Sequence, residues 1–363
     1  MTLSDKIHAE IADAGGWLPF DRFMSLALYA PGLGYYAGGR RKFGRLPSEG
    51  SDFVTAPEMS ALFGRALARQ VAQAMAASGC REVMEFGAGS GALAAHLIAE
   101  LDTLGAGLVR YRIVELSAEL RERQRERLAP FMGETGDRVE WLDTLPDAIE
   151  AVVVGNEVLD AMPVQLIAFD GQVWRERGVV TAGAGFAFDD RDSPLRPPLD
   201  TGFVPGTVTE IHAQAEAFTR TLAQRLQRGA AFFIDYGFPE AEYYHPQRRG
   251  GTLMCHQAHL ADADPLVAVG DKDITAHVNF TGIALAGQDA GLVVLGYTSQ
   301  ANFLLNCGIA ELLGEASLSE RAMAHRLLAE HEMGELFKVI GFAPQHAPLD
   351  AIGFQRGDRS HRL

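Results

Sequence analysis

The stretch Glu82-Val83-Met84-Glu85-Phe86-Gly87-Ala88-Gly89-Ser90-Gly91-Ala92 does most to limit what this chain can become. A short apolar run ends in alternate glycines, and helical spacing resumes at once, over about residues 90–104. Glycine serves where the backbone must turn tightly or let a ligand approach. A helix opening at such a turn aims its free N–H groups at that ligand. By spacing alone the loop fits Gly-x-Gly-x-x-Ala, a dinucleotide fingerprint, as well as Gly-x-Gly-x-Gly, and a tight turn without any ligand would look the same. Charge separates the ligands. A carboxylate at Glu85, two residues before the first glycine, repels a pyrophosphate and attracts the ammonium and sulfonium of S-adenosylmethionine. A structural acid capping the next helix is the competing reading of Glu85.

The pattern around this loop repeats. Apolar runs at Glu82–Phe86, Val109–Val114, Val139–Leu142, Ala151–Val154 and Ala231–Ile234 alternate with helical stretches near 90–104, 117–131 and 210–228. That alternation predicts an α/β fold with a parallel sheet and right-handed crossovers. Helices are expected over 3–15, 58–78 and 318–338, and inserted hairpin strands over 164–190. Arg356–Leu363 reads as a frayed polar tail.

In such a sheet, ligands sit beyond the carboxyl ends of the strands. Glu115 ends the second run, 24 residues beyond Gly91, close to the ~20-residue spacing of an acid that accepts from ribose hydroxyls. Asp143, after the third run, could accept from an adenine amino group, and a solvated turn acid fits it equally. After the fourth run comes Gly155-Asn156-Glu157-Val158-Leu159-Asp160-Ala161-Met162-Pro163, and after the fifth Asp235-Tyr236-Gly237. The first of these loops should face the transferred methyl group, with Asn156 assigned to the cofactor. If the acceptor is arginine, carboxylates that grip its delocalised guanidinium leave one nitrogen nucleophilic. Glu157, Asp160 and Glu210 are the candidate acids. His277, within Asp273-Ile274-Thr275-Ala276-His277-Val278-Asn279-Phe280, is the candidate proton acceptor, or a residue that only holds a loop.

Composition narrows the partners. A net charge of -15 disfavours nonspecific binding to nucleic acid or anionic lipid and tolerates a basic protein surface. Three cysteines, Cys80, Cys255 and Cys307, form no Cys-x-x-Cys, so neither a disulfide framework nor a metal site is expected and a reducing compartment fits. No apolar run approaches the ~20 residues of a membrane span. Met1–Ala14 has the features of neither a secretion signal nor a transit peptide. A cytoplasmic protein is expected.

Several separated signatures resemble the MidA-like family of S-adenosylmethionine-dependent methyltransferases, and their joint order runs nearly the length of the chain. They are Tyr29-Ala30-Pro31-Gly32-Leu33-Gly34-Tyr35-Tyr36, Ser51-Asp52-Phe53-Val54-Thr55-Ala56-Pro57-Glu58, the glycine loop, and Asn156–Pro163. Asp235-Tyr236-Gly237, Gly251-Thr252-Leu253, Asp273–Phe280, Gln300–Leu305 and Met333–Val339 come after them. The family has glycine where Ser51 stands. The resemblance implies a Rossmann-like class I methyltransferase fold, with a mostly parallel sheet, helices on both faces, an N-terminal extension and inserted strands and helices. It divides the chain into an extension over 1–80 that closes the cofactor site, a methyltransferase domain over 81–355 with insertions near 164–209 and 240–290, and a tail over 356–363. It assigns cofactor contacts to Thr55 and Glu58, beside Glu85, Gly87, Gly89, Ser90, Gly91 and Glu115. Mitochondrial members of the family are protein arginine methyltransferases needed for assembly of respiratory complex I. The implied partner is therefore a protein with an accessible arginine, such as a complex I subunit. Methylation of another acceptor, or cofactor binding by an assembly chaperone without turnover, are the alternatives. A nicotinamide oxidoreductase is disfavoured by Glu85.

Overall fold

The structure, a computed structural model, describes residues 1–38, 55–133, 136–199 and 202–363. The signature residues Ser51, Asp52, Phe53 and Val54 lie outside the described residues. The described residues form two compact units. One is drawn from Met1–Phe53, Leu159–Ala217 and Phe238–Gly282, the other from Val54–Val158, Phe218–Gly237 and Ile283–Leu363. These units do not part at residue 80, because Ala56–Met59 and Ala61–Ser78 pack in the second.

The second unit carries the central sheet. Its strands are β1 (Glu82–Phe86), β2 (Arg110–Val114), β3 (Val139–Leu142), β4 (Ile149–Asn156), β5 (Leu226–Phe238), β6 (Leu292–Ser299) and β7 (Phe337–Pro344). They lie in the order β6-β7-β5-β4-β1-β2-β3. The five strands from β5 to β3 pair in parallel, as the alternating pattern predicts. Val83, Met84 and Val152–Val154 are fully buried, the continuous apolar run of strands covered on both faces. The order reverses at β1 and β4. In a parallel sheet this is where a crevice opens beyond the carboxyl ends.

Three helices of the same unit are α1 (Ala61–Ser78), α2 (Ala92–Thr103) and α3 (Ala118–Leu128). Ser60 caps α1 by accepting from the Leu62 N–H, and Gly79 ends it at φ 72°. The buried stripe of α1, including Leu62, Phe63, Ala66, Leu67, Val71, Ala74 and Met75, joins Leu93, Leu97, Ile98 and Leu101 of α2 in the core.

Two strands of this sheet, β6 and β7, were not expected from the sequence. The helix expected over 318–338 stops at Leu328, and a short turn at Met333–Leu336 leads into β7. All eight residues of β7 are buried, and it runs antiparallel between β5 and β6. The tail is not frayed. An Asp358 carboxylate oxygen accepts from the Tyr297 N–H at 2.9 Å, the Arg359 N–H donates to Tyr297 O at 2.6 Å, and the Arg359 guanidinium pairs with Glu335. Its polar residues find partners in the same unit, which their polarity alone does not reveal.

In the first unit, Leu18–Pro19, Trp174–Ala182, Gln165–Phe169 and Val208–Ile211 form an antiparallel sheet, with Gly185–Asp192 hairpinned to Trp174–Ala182. Helices Leu3–Asp13 and Phe20–Tyr29 contribute Ile7, Ile11, Phe23, Met24 and Leu28 to its core. Met254–Gln257, Leu260–Asp262 and Asp273–Thr275 make a smaller sheet.

Gly229 is where the parallel pairing is least forgiving. It sits at φ 117°, and a Cβ there would lie 1.9 Å from the Ala151 carbonyl oxygen on the paired strand. Gly229→Ala should lower stability by about 3 kcal/mol or more, read as a drop in the denaturation midpoint. A midpoint near wild type would show that β5 can shift away from β4 at little cost.

Candidate functional site

The glycine loop leaves β1 in a left-handed backbone. Gly87, Gly89 and Gly91 have φ of 62°, 53° and 80°, a region open to glycine and strained for other residues. A Cβ on Gly87 would come 3.3 Å from Val158, and one on Gly91 would come 3.4 Å from Gln124. A side chain at Gly87 would crowd Val158, and one at any of the three would strain the backbone. Gly91 opens α2, whose first free N–H groups come next.

Glu85 and Glu115 are brought together at this edge. Glu85 is fully inside, and the Tyr111 hydroxyl donates to it at 2.7 Å. Burial pushes its carboxyl up to about 8, with the neighbouring Glu115 adding to the rise. Glu85 is therefore protonated at neutral pH, contrary to the ionised acid assumed from the sequence. The reason is its place on a strand flanked by both β4 and β2. Glu115 is raised in the same direction by burial, opposed by N–H donors at Ser117 and Gln124. The Ser117 N–H donates to Glu115 Oε1 at 2.9 Å, and Gln124 Nε2 donates to Glu115 Oε2 at 3.1 Å. Gln124, which the sequence reading missed, also donates to Gly89 O at 2.9 Å.

Other expected cofactor residues fall into two groups. Glu58 and Ser90 are joined by a hydrogen bond, and Arg127 of α3 donates to both, at 2.8 and 2.6 Å. Thr55 accepts from the Glu58 and Met59 N–H groups through its carbonyl, which starts the short turn Ala56–Met59. Asp143 faces solvent, with its carboxylate on Arg121 at 2.5 Å. Arg121 also donates to Glu115 O and Leu142 O, so Asp143 sits at the end of a bracket that binds β2 to β3. That placement favours the solvated turn acid.

At the carboxyl end of β4, Asn156 Nδ2 donates to Glu157 Oε1 at 2.8 Å, and the Glu157 N–H donates to Ile234 O. Asn156 Oδ1 is buried with no partner among the described residues. Such an acceptor wants a donor, and the ammonium of S-adenosylmethionine supplies one. The orphaned oxygen, the left-handed glycine turn and the buried Glu115 together fit that cofactor. Glu157 has φ 55°, costly for a residue with a Cβ and typical of backbone held for a purpose. Asp235, next to it on β5, accepts from the Val158 N–H at 3.1 Å.

The remaining expected residues lie in the first unit. Asp160 is buried, and its carbonyl accepts from the Ala276 N–H. Tyr36 donates to both oxygens of Asp273, at 3.0 and 3.1 Å, and stacks on Tyr29, which donates to Ala161 O. The N-terminal, Asp160-Ala161 and Asp273 signatures thus converge. Burial raises the Tyr36 hydroxyl well above its usual range, and Asp273, Tyr29, Tyr35 and Asp160 add to the rise. Glu210, also fully inside, accepts from Thr252 N–H at 2.7 Å, Leu253 N–H at 2.8 Å and Tyr243 OH at 2.8 Å. Three of the roughly four acceptor positions of a carboxylate are taken, so Glu210 holds the Gly251-Thr252-Leu253 turn and has little left for a guanidinium. The His277 N–H donates to Thr252 Oγ1, and its ring stacks on Phe238 at 5.3 Å. His212, unnoticed in the sequence, is buried against Tyr243 and held neutral, down to about 3. No group of acids, histidines and cysteines suited to a metal ion occurs among the described residues. None of their helices is long and apolar enough to cross a membrane.

The raised carboxyl of Glu85 gives a stability test. The folded protein keeps this proton up to about pH 8, whereas the unfolded chain loses it near pH ~4.3. The contribution of Glu85 is full below the lower value and declines as pH rises toward the upper one. Glu85→Gln has no proton to lose. Its melting temperature relative to wild type should climb by on the order of 5 °C between pH 5 and pH 8. A difference that stays level with pH would mean that Glu85 is ionised in the folded protein.

Comparison with known proteins agrees with this geometry. Residues 66–298, more than half of the chain, match a family described as "Putative S-adenosyl-L-methionine-dependent methyltransferase". A Burkholderia thailandensis protein solved with S-adenosyl-homocysteine bound is 54% identical, with a TM-score of 0.94 over 99% of this chain and 96% of that one. The mouse protein arginine methyltransferase NDUFAF7 is 28% identical over 89% of this chain and 80% of its own length. The human protein of the same name is 26% identical over 94% and 83%. The cytoplasmic location expected from the sequence is overturned by these relatives, which are named mitochondrial and point to mitochondria instead. Reduced cysteines mark a reducing compartment without saying which one. The parallel sheet and the matched residues agree in fold, and the chain belongs to the S-adenosyl-L-methionine-dependent methyltransferases.

Proposed function

We propose that the protein transfers a methyl group to an arginine side chain of a protein, and that the acceptor is a subunit of respiratory complex I. The observation that carries the acceptor class is Glu157, an acid held in strained backbone at the carboxyl end of β4. The names of the mouse and human relatives, protein arginine methyltransferases, support arginine as the acceptor. S-adenosylmethionine supplies an electrophilic methyl carbon on a sulfonium. Gly87, Gly89 and Asn156 would hold its amino-acid end, and Glu115 its ribose. Glu157 would grip two guanidinium nitrogens, localise charge on them and leave the lone pair of the third nitrogen to take the methyl group. In-line displacement gains most from such alignment. The nitrogen that takes the methyl group gives up its proton to solvent. The net charge of -15 suits a basic substrate surface.

Glu157→Gln keeps the shape and removes the charge. Affinity for S-adenosyl-homocysteine by calorimetry should stay within about twofold, while methyl transfer to an arginine-bearing protein substrate falls by about 10²-fold or more. Lost cofactor affinity with proportionate turnover would move Glu157 into the cofactor site. Full activity would remove it from the mechanism and make Asp160 the next acid to test.

A further inference from the structure

The acids and glycines of the cofactor site sit on two different strand ends, and one buried amide spans them. Gln124 lies on α3, which begins just after Glu115, and it is wholly inside the protein. Its Nε2 has two hydrogens, and both are used, one on Gly89 O at 2.9 Å and one on Glu115 Oε2 at 3.1 Å. Its Oε1 accepts from Trp141 Nε1 at 2.8 Å. Indole nitrogen can only donate, so this third bond fixes which end of the amide faces which way. The side chain also packs beneath Gly91, where a Cβ would lie 3.4 Å from Gln124 Cγ. Trp141 is itself braced by the Arg125 guanidinium, 5.2 Å from its ring centre.

We propose that Gln124 is a positioning residue for the cofactor, a buried spacer that fixes the distance between the glycine loop and the Glu115 carboxylate, with Trp141 setting its orientation. The inference rests on the assignment of Glu115 to the ribose. The glycine loop takes the amino-acid end of the cofactor and Glu115 takes the sugar. The transferred methyl lies between those ends, so its position depends on how the two supports are spaced. A slip of about 1 Å is enough to lose much of the rate of an aligned displacement. The two bonds from Gln124 couple Gly89 to the Glu115 carboxylate, beside the backbone bond from the Gly87 N–H to Val114 O at 3.1 Å. The second Glu115 oxygen is steadied by the Ser117 N–H, so the carboxylate is oriented from both sides and keeps lone pairs for the ribose.

Gln124→Glu is the informative variant. It keeps length and the acceptor for Trp141 but cannot donate to Gly89 or Glu115 when ionised, and it sets two carboxylates against each other. One proton shared between them restores a donor, as for any close carboxylate pair. Calorimetry with S-adenosyl-homocysteine should show affinity reduced on the order of tenfold or more at pH 8 and recovering toward wild type at pH 6. In a Glu115→Ala background the same change should lose that pH-dependent recovery. Trp141→Phe, which removes only the orienting donor, should weaken binding severalfold without pH dependence, and it serves if the glutamate variant does not fold. Wild-type affinity in either Gln124→Glu at pH 8 or Trp141→Phe would overturn the proposal, as would an equal, pH-independent loss with and without Glu115. If Glu115→Ala alone binds normally, the ribose assignment falls and the spacer role falls with it. If Glu115→Ala weakens binding but the Gln124 and Trp141 variants do not, only the spacer role falls.

Discussion

The backbone of Gly87, Gly89 and Gly91 is the constraint on which the cofactor site depends. All three are left-handed, and only that conformation lets the chain leave β1 and enter α2 without a side chain over the crevice. Because β1 lies between β4 and β2, the turn is placed beside the ends of both neighbours. Glu115 and Asn156 are consequences of that placement. Each is the polar residue that its strand delivers to the same edge.

Burial decides what these polar groups can be. Glu85 is an acid by sequence, yet burial inside the sheet raises its carboxyl to about 8, against the opposing pull of the Tyr111 hydroxyl. Glu115 is buried almost as deeply but is met by donors from Ser117 and Gln124, which favour the charged form. Two buried acids at one edge of the sheet are thereby raised by the same cause and opposed by different donors.

The first unit shows the same logic with another outcome. Glu210 looks like a candidate for a cationic substrate, but its oxygens are engaged by Thr252, Leu253 and Tyr243. A buried carboxylate whose acceptors are filled by its own chain fixes a loop. The stacked Tyr29 and Tyr36, and the bonds to Asp273 and Ala161, give the tyrosine-rich signature its structural meaning.

The sequence by itself determined the local grammar: where glycines break a strand, where acids end one, and that five apolar runs alternate with helices into a parallel sheet. These are short-range properties, carried by spacing and backbone preference. Glu82–Phe86 and Val139–Leu142 have the bounds read from the sequence. Only the tertiary structure decided the rest. Phe337–Pro344 continues a helical-looking segment, and becomes a strand because β5 and β6 offer it backbone partners on both sides. Gln124 reads as one polar residue in a charged helix, and is a spacer only because α3 buries it between Gly89, Glu115 and Trp141. The raised carboxyl of Glu85 and the three bonds that engage Glu210 likewise depend on groups distant in the chain. Desolvation and hydrogen-bond partnership are properties of the packed interior, and no local pattern of residues encodes them.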